Sequence, residues 1–290
     1  MTAESAKTVR LHPLPKTAAG FEFEPLEGDS IIAQSVRDTG TYEPEILAAF
    51  ELFLRPGDTF VDVGANFGWH SVHAARIVGS AGKVFAFEPV PYIAEVLERN
   101  CRRNGFNNVE VHRIALGARQ AQVKMALNSE NPGGGCVADF GTLPVHMFAL
   151  DQVIADARPT LIKIDVEGHE MEVLRGANRT LDAEPVVVLE YNRGPHRKRI
   201  FRYLSDRGYS LYIVSDALAF NWLRMPYVPQ DFENIVAVPK RLAHIVSPAT
   251  AIDYPHLLLW LRYAPPRMAR QAANFVARKL GLAERRKADP

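Results

Sequence analysis

The feature that most constrains the fold is an alternation of short apolar runs with amphipathic segments, which begins near Leu52. The apolar runs are rich in valine, isoleucine and phenylalanine, as is typical of buried strands: DTFVDVG, KVFAFEP, NVEVHRIA, TLIKIDVEG and PVVVLEYN. The segments between them carry apolar residues at helical spacing: GWHSVHAARIVG, PYIAEVLERNCRRNG and HEMEVLRGANRTL. The alternation predicts an α/β fold in which helices cover both faces of a parallel sheet, with ligands at the carboxyl ends of the strands.

The chain divides into three regions. Residues 1–40 are polar and punctuated by proline, and we interpret them as an N-terminal extension or lid. Residues 41–240 carry the alternating pattern, to which HRKRIFRYLSDRGYSLYIVSD adds a helix and a strand and FENIVAVPK a last strand. Residues 241–290 are basic and amphipathic, and we interpret them as helices packed on the domain. A membrane-surface or partner-binding role is the alternative for this last region.

Composition argues against several classes of protein. A net charge of +1 over 290 residues argues against a dedicated nucleic-acid binder, which would carry a basic excess. The two cysteines, Cys101 and Cys136, lack metal-ligand spacing and suit a reducing compartment. No hydrophobic leader is evident, and the longest apolar run near the end, LLLWL, is far too short to span a membrane. We therefore expect a cytoplasmic protein without a transmembrane segment; the oligomeric state stays open, with a homo-oligomer among the alternatives.

A glycine-containing turn follows the first predicted strand, in the stretch FVDVGANFG. A dinucleotide site requires the pattern G-x-G-x-x-G, but Asn66 stands where the middle glycine is needed between Gly64 and Gly68. Asp62, just before the turn, would repel a pyrophosphate and attract an ammonium group. These four residues therefore predict a ligand with an amine and without phosphate, and S-adenosylmethionine has both properties.

Two further strand ends supply candidate cofactor contacts. Glu88 follows the second strand, at the place where a carboxylate accepts hydrogen bonds from ribose hydroxyls in doubly wound folds. The alternative for Glu88 is a capping role for the helix that begins at Pro89. Ala115, in the stretch RIALG, is expected at the end of the next strand, where small apolar groups could flank the adenine.

The stretches DVGANFG, GKVFAFEPVP, NCRRNGFNNVEVHRIALG, FALDQVI, LIKIDVEGHEMEVLRGANRTL and VVLEYN occur in an order and spacing that resemble the FkbM family of S-adenosylmethionine-dependent O-methyltransferases. The resemblance implies the Rossmann-like class I methyltransferase fold, with a seven-stranded, mostly parallel sheet whose last strand is antiparallel. It also implies methylation of a hydroxyl group on a sugar, polyketide or related natural product. Family members carry a patch similar to TGTYEPE, which makes Glu43 a candidate contact for cofactor or substrate.

An alcohol becomes a good nucleophile only when its proton leaves or a cation stabilises the alkoxide. The fourth strand ends at Asp165, beside the expected position of the methyl group, and the fifth carries Glu190 and Asn192. Oxygen ligands converging from neighbouring strand ends suit Mg²⁺, and metal-dependent O-methyltransferases of this fold place ligands at these two strand ends. This match is positional, so metal dependence stays open.

His169, beyond the turn at Gly168, is the side chain best suited to take a proton near neutral pH. The alternative is a surface histidine at the start of a helix. Lys163 lies two residues before Asp165, hence on the same face of an interior strand, where an ammonium group requires a partner. We expect Lys163 to pair with Asp62, Asp165 or Glu190.

Two other functions compete with a methyltransferase that acts on a small hydroxyl-bearing molecule. A nicotinamide-dependent oxidoreductase is disfavoured by Asn66 and Asp62. A non-catalytic nucleotide-binding or interaction protein, using its basic C-terminal region, is disfavoured by the intact stretch KIDVEGHE.

Overall fold

The computed structural model describes residues 14, 17, 19–128, 131, 133–190, 196–213, 223–224 and 234–246. The strands in chain order are β1 (Thr59–Val63), β2 (Lys83–Phe87), β3 (Val109–His112), β4 (Ala115–Leu116), β5 (Ala121–Ala126), β6 (Cys136–Val137), β7 (Leu143–Phe148), β8 (Leu161–Ile164), β9 (Val186–Glu190), β10 (Tyr209–Ile213), β11 (Leu223–Arg224) and β12 (Asn234–Pro239). The helices are α1 (Ile32–Thr39), α2 (Pro44–Phe53), α3 (Trp69–Val78), α4 (Pro91–Arg103), α5 (Leu150–Val153), α6 (Glu170–Arg175), α7 (Asn178–Asp182), α8 (Arg197–Asp206) and α9 (Ala243–Val246).

The main sheet has the spatial order β11-β10-β12-β9-β8-β1-β2-β3. Strands β3, β2, β1, β8 and β9 pair in parallel, whereas β12 is antiparallel to both β9 and β10. The seven longer strands therefore form a mostly parallel sheet whose last strand is antiparallel, which confirms the predicted fold class. The short strand β11, antiparallel to β10, is an addition that the sequence did not predict.

Helices cover both faces of the main sheet, as predicted. On one face, apolar residues of α5, α6, α7 and α8 pack against strand residues such as Val61, Phe85 and Ile162. On the other face, α2 and α3 pack against Phe60 and Val188, while α4 covers the β2 and β3 end. Strands buried on both faces explain why the sequence shows apolar runs rather than a strict alternation.

Two predicted elements are divided in the structure. The predicted strand NVEVHRIA consists of β3 and β4, and β4 pairs with β7 instead of joining the main sheet. The predicted helix HEMEVLRGANRTL consists of α6 and α7, which are separated at Gly176. A Cβ at Gly176 would collide with the carbonyl oxygen of Gly117. The close approach of these two segments explains a glycine at the break.

A second sheet with the order β4-β7-β5-β6 lies between β3 and β8 in the sequence and was not predicted. The pairs β5–β6 and β5–β7 are antiparallel. The predicted helices of the C-terminal region from residue 247 onwards lie outside the described residues, as do most of residues 1–18. The residues from 19 onwards pack on α3 and α4 through Phe21, Phe23 and Leu26.

Candidate functional site

A cavity of about 280 Å³ opens at the carboxyl ends of β1, β2, β8 and β9. Parallel strands bring their carboxyl ends to one edge of the sheet, so the turns that follow these strands meet there. Four residues of the N-terminal segment form part of the wall: Ile31, Ile32, Tyr42 and Glu43. Residues of the second sheet and of the loop before β6 close another side.

The turn of residues 64–68 connects β1 to α3 and forms part of the cavity wall. Gly64 has a φ of +80°, and a Cβ there would collide with the carbonyl oxygen of Asp165. The turn therefore lies directly against the end of β8, which explains why this position is glycine. Gly64 and Ala65 both donate backbone N–H groups to the carbonyl of Phe87 at 3.0 Å, which ties the turn to β2 as well.

Asn66 adopts the left-handed backbone conformation without being glycine, with a φ of +50°. Its side-chain oxygen accepts a hydrogen bond from the N–H of Phe67 at 2.8 Å, and asparagine tolerates the left-handed conformation better than most residues. The side chain also stands against Gly133, where a Cβ would collide with it. Asn66 lines the cavity, and the loop before β6 packs against it.

Glu88 follows β2, is buried and lines the cavity. One of its carboxylate oxygens accepts a hydrogen bond from the N–H of Asn66 at 3.0 Å, and the other from the N–H of Val90 at 2.9 Å. Burial raises the pKa of Glu88 to about 7, although both hydrogen bonds act to lower it. The helix begins at Pro91 rather than at Pro89, and the bond to Val90 lies just before it without capping it. The ribose contact stays a prediction.

Two residues predicted to bind the cofactor do not line the cavity. Asp62 is fully buried on the α3 side of β1, where its Oδ2 accepts a hydrogen bond from the hydroxyl of Ser71 at 2.6 Å. Gly68 precedes α3 and faces Leu97 of α4. Successive side chains of β1 point to opposite faces of the sheet. The side chain of Asp62 points to the face that α3 covers, and its hydrogen bond to Ser71 holds that helix in place. The expected direct contact of Asp62 with an ammonium group therefore does not follow from the geometry.

Glu43 connects three separate parts of the chain at the cavity. Its Oε1 accepts a hydrogen bond from Nδ2 of Asn234, at the start of β12, with a length of 2.8 Å. Its Oε2 lies 3.2 Å from Nε2 of His70 on α3. Burial acts to raise the pKa of Glu43, but His70 and the nearby Lys163 ammonium outweigh it and lower this pKa. The carboxylate is thus stabilised in its ionised form.

A buried ion pair lies where β8 ends. Nζ of Lys163 is 2.9 Å from Oδ2 of Asp165, which confirms the predicted pairing. Asp62 occupies the register position opposite Lys163 on β1. Burial disfavours the charged ammonium, yet the negative charges of Asp165 and Asp62 raise the pKa of Lys163. Lys163 is therefore charged and held between carboxylates.

Three carboxyl groups meet beside this ion pair. One oxygen from each of Asp165, Glu167 and Glu190 lies within 4.8 Å of the other two. Burial raises the pKa of Glu190, and repulsion from Asp165 and Glu167 raises it further. Burial also acts to raise the pKa of Asp165, but Lys163 lowers it below its ordinary value. The cluster therefore favours the protonated form of Glu190, and a bound cation would relieve the same repulsion.

The predicted metal ligands are brought together in part. Asp165 and Glu190 are neighbours, the structure adds Glu167 to them, and Asn192 lies outside the described residues. Oxygen donors at these distances suit the hard ligand preference of Mg²⁺. Oε2 of Glu190 has no hydrogen-bond partner among the described residues. The donor set is therefore compatible with a divalent cation.

His169 precedes α6 and lines the cavity, as do Ala115 and Leu116 of β4. Burial lowers the pKa of His169, although Glu172 acts to raise it. Its Nε2 is buried and has no hydrogen-bond partner within the described part of the chain. An imidazole that is neutral at pH 7 and has an unpaired nitrogen is suited to accept a proton.

A sequence model of the family described as "Methyltransferase FkbM domain" matches residues 62–211, which is just over half of the chain. The chain belongs to the FkbM methyltransferase family. The matched region runs from β1 to β10 and so includes the glycine-containing turn, Glu88 and the carboxyl cluster. The family resemblance seen in the sequence is therefore confirmed.

Curated relatives of this FkbM protein are methyltransferases. Hexuronic acid methyltransferase AglP of Haloferax volcanii is 29% identical over 161 residues, covering 54% of this chain and 65% of the relative. Methyltransferase 1 of Beauveria bassiana is 26% identical over 148 residues, covering 42% of this chain and 59% of the relative. Methyltransferase sdnD of Sordaria araneosa is 27% identical over 222 residues and is covered to 82%. The chain thus matches less than two thirds of the length of the first two relatives.

Solved structures that are similar include a SAM-dependent O-methyltransferase from Thermotoga maritima, with a TM-score of 0.43 and 15% identity. That similarity covers 79% of this chain and 77% of the other. A precorrin-6y C5,15-methyltransferase from Geobacter metallireducens has a TM-score of 0.42, with 16% identity and coverage of 68% and 88%. None of the described helices of the FkbM protein combines the length and apolar character that a membrane span requires.

Some residues of this FkbM site were missed by the sequence analysis. Asn234 lies in the predicted strand FENIVAVPK, but its contact with Glu43 depends on the antiparallel pairing of β12 with β9. Glu167 was not among the predicted metal ligands; it has a φ of +51° and lies beside Glu190. The sequence signal for Glu167 was its position three residues after the end of β8.

Proposed function

We propose that this protein is an S-adenosylmethionine-dependent O-methyltransferase that acts on a hydroxyl group of a sugar, polyketide or other small natural product. The observation that carries the proposal is one cavity with two distinct ends. At one end lie Glu88 and residues 64–66 of the turn, which would bind the nucleoside, and at the other Asp165, Glu190 and His169 would offer charge and a proton acceptor. Membership of the FkbM family supports this assignment.

The nicotinamide alternative is disfavoured by the same cavity. Asn66 replaces the glycine that would let a pyrophosphate approach the backbone, and its side chain packs on Gly133. The lining residues include five carboxyl groups: Glu43, Glu88, Asp165, Glu167 and Glu190. The ionised carboxylates of Glu43 and Asp165 would repel the phosphate charges of a pyrophosphate and attract a sulfonium and an ammonium group.

S-adenosylmethionine supplies a methyl group already activated by its sulfonium charge, so the protein must position and deprotonate the acceptor. In the proposed reaction the acceptor oxygen would form the bond to the methyl carbon as the carbon–sulfur bond broke, and Nε2 of His169 would accept the proton of the hydroxyl group. The ion pair between Lys163 and Asp165 keeps one carboxylate charged beside the reacting atoms. Glu88 would accept hydrogen bonds from the ribose hydroxyls.

We further propose that Asp165, Glu167 and Glu190 can hold Mg²⁺, with Asn192 as a fourth candidate. A divalent cation would replace the proton on Glu190 and stabilise a negatively charged acceptor oxygen. If no metal is required, the same groups would bind the acceptor through hydrogen bonds.

We propose that residues 41–240 form the catalytic domain, that residues 1–40 form an extension or lid and that residues 241–290 form a helical extension. A relative's name, hexuronic acid methyltransferase, supports a sugar-like acceptor. We propose a small molecule rather than a nucleic acid as the acceptor, and a cytoplasmic location. A homo-oligomer stays among the alternatives for the assembly.

Calorimetry with S-adenosylhomocysteine and with NAD tests the cofactor. We expect binding of the former and none of the latter, and the reverse result would contradict the proposal. Incubation with methyl-labelled S-adenosylmethionine and a panel of neutral sugars, uronic acids and polyketide alcohols, followed by mass spectrometry, tests the acceptor. Labelling of a nitrogen or carbon atom instead of oxygen would contradict O-methylation.

A further inference from the structure

A segment that precedes the family-matched region forms one wall of the cavity. We call residues 19–43 the N-terminal strap; it runs along α4, includes α1 and ends where α2 begins. The strap supplies Ile31, Ile32, Tyr42 and Glu43 to the cavity lining. Ala33 and Val36 of α1 are buried against the rest of the protein.

Two asparagine side chains on and just after α4 hold the start of the strap. Oδ1 of Asn104 accepts the N–H of Glu22 at 3.0 Å, and its Nδ2 donates to the carbonyl of Glu22 at 2.8 Å. Asn100 does the same for Glu24, with distances of 2.7 Å and 3.0 Å. Each amide thus pairs with the N–H and the carbonyl of one strap residue, as a neighbouring strand would.

The two asparagines differ in one further bond. Nδ2 of Asn100 also donates to the carbonyl of Phe67 at 2.8 Å, inside the turn that lines the cavity. The second bond of Asn104 goes instead to the carbonyl of Asn100 within α4. Asn100 is fully buried, and both of its donor hydrogens and its oxygen are used. One side chain therefore joins the strap directly to the turn.

The far end of the strap contacts the same region. The indole N–H of Trp69, the first residue of α3, donates to the carbonyl of Tyr42 at 3.0 Å. The ring of Phe23 packs on the ring of Trp69 at 4.9 Å and on that of Phe67 at 6.0 Å between centroids. Both ends of the strap are thus attached to residues at or next to the turn.

We propose that Asn100 is a positioning residue that couples docking of the N-terminal strap to the conformation of the turn of residues 64–68. This inference rests on the proposed function, because it treats that turn as part of the cofactor site. If Asn100 loses its amide donors, the carbonyls of Glu24 and Phe67 lose a buried partner together. The turn and the strap wall would then both shift away from the geometry that fits the cofactor.

The variants Asn100→Asp and Asn104→Asp form a matched pair, because each keeps the side-chain shape and removes the amide donor to one strap carbonyl. We expect both to lower the melting temperature. We expect Asn100→Asp to raise the dissociation constant of S-adenosylhomocysteine by about tenfold or more, and Asn104→Asp by less than about threefold. Equal effects on affinity, or none for a folded Asn100→Asp, would overturn the coupling.

Hydrogen exchange on the unmodified full chain gives a second test if Asn100→Asp does not fold. We expect S-adenosylhomocysteine to slow amide exchange both in residues 64–68 and in the strap. Protection of the turn with an unchanged strap would overturn the inference and leave the proposed function standing. Failure of the unmodified protein to bind S-adenosylhomocysteine would instead overturn the proposed function, and the coupling with it.

Discussion

The two ends of the cavity both hold buried carboxyl groups with raised pKa values, but they hold them by different means. Glu88 receives two backbone N–H groups, which tie it to the turn and to the start of α4. Glu190 instead faces Asp165 and Glu167, and repulsion adds to its burial. At the first end, backbone N–H groups of the protein itself satisfy the carboxylate of Glu88. At the second end, a proton or a bound cation would relieve the repulsion among the carboxyl groups. The two ends are therefore suited to different parts of a methyl-transfer reaction.

Charge balance makes the second end the more sensitive to substitution. Asp165 is the direct ion-pair partner of Lys163, which is buried inside β8. We expect Asp165→Asn to lower the free energy of unfolding by about 3 kcal/mol, because the buried ammonium loses its partner. Urea denaturation measures this loss. Glu172→Gln, which removes a pair with Arg175 on α6, serves as the control and should cost less than about 1 kcal/mol.

A loss of less than about 1 kcal/mol in Asp165→Asn would show that the nearby carboxylates of Asp62 and Glu43 suffice to stabilise Lys163. The ion pair at the acceptor end would then lack the structural role assigned to it.

A second difference between the two ends of the cavity concerns His169, the proposed proton acceptor. We expect His169→Ala to lower the turnover number by at least about 10²-fold and to leave S-adenosylhomocysteine affinity nearly unchanged, because a general base acts only on the acceptor. The exposed His146 on β7 offers a control, and His146→Ala should keep full turnover. Steady-state kinetics together with calorimetry measure both quantities.

The pH dependence follows from the shifted pKa. A base acts in its neutral form, and burial lowers the pKa of His169 below its ordinary value of 6.5. The turnover number of the unmodified protein should therefore rise with pH on the acid side of 6.5 and reach a plateau above it. A flat profile, or a variant with normal turnover, would assign the proton to Asp165, Glu167 or a metal-bound hydroxide.

Substitution of Glu88 tests the end of the cavity that we propose binds the cofactor. We expect Glu88→Ala to weaken S-adenosylhomocysteine binding by about 1.5–3 kcal/mol, if the ribose hydroxyls donate to a charged acceptor. The pKa of Glu88 is raised to about 7, so its carboxylate forms as the pH passes through neutrality. Affinity of the unmodified protein should then increase between pH 6 and 8, as measured by calorimetry at several pH values.

Glu88→Gln separates the two roles of this side chain. It should lose the pH dependence while keeping an acceptor for one backbone N–H. Unchanged affinity in Glu88→Ala would limit Glu88 to its contacts with the backbone N–H groups of Asn66 and Val90.

The features of the fold and the site that the sequence could predict are those that follow from local periodicity. Strands buried on both faces leave apolar runs, and the spacing of two residues placed Lys163 and Asp165 on one face, as observed. The second sheet was missed although AQVKMA and LPVHMF alternate exposed and less exposed residues, because their partners lie in a separate sheet. The same alternation along β1 turns Asp62 towards Ser71, although Asp62 lies close to the glycines in sequence.

Local periodicity could not predict contacts between segments that are distant in the sequence. Asn234 meets Glu43 across 191 positions, and Asn100 meets Glu24 across 76. Both contacts depend on how the strap crosses α3 and α4, which no local pattern specifies. The break at Gly176 likewise depends on the backbone of Gly117 approaching it.

The smallest expected effect concerns a cation at the acceptor end. Because Asp165, Glu167 and Glu190 bring three carboxyl oxygens together, Mg²⁺ at about tenfold its dissociation constant should stabilise the folded protein by about 1.4 kcal/mol. A thermal shift that EDTA reverses measures this effect, and Glu167→Gln should reduce it while Glu88→Gln should not. The rate of methyl transfer should fall in chelated protein and return with Mg²⁺ or Mn²⁺. Full activity after exhaustive chelation, with no shift on adding Mg²⁺, would mean that the proton on Glu190 is the resident cation. The three groups would then act as hydrogen-bonding partners of the acceptor, and both ends of the cavity would work without a metal.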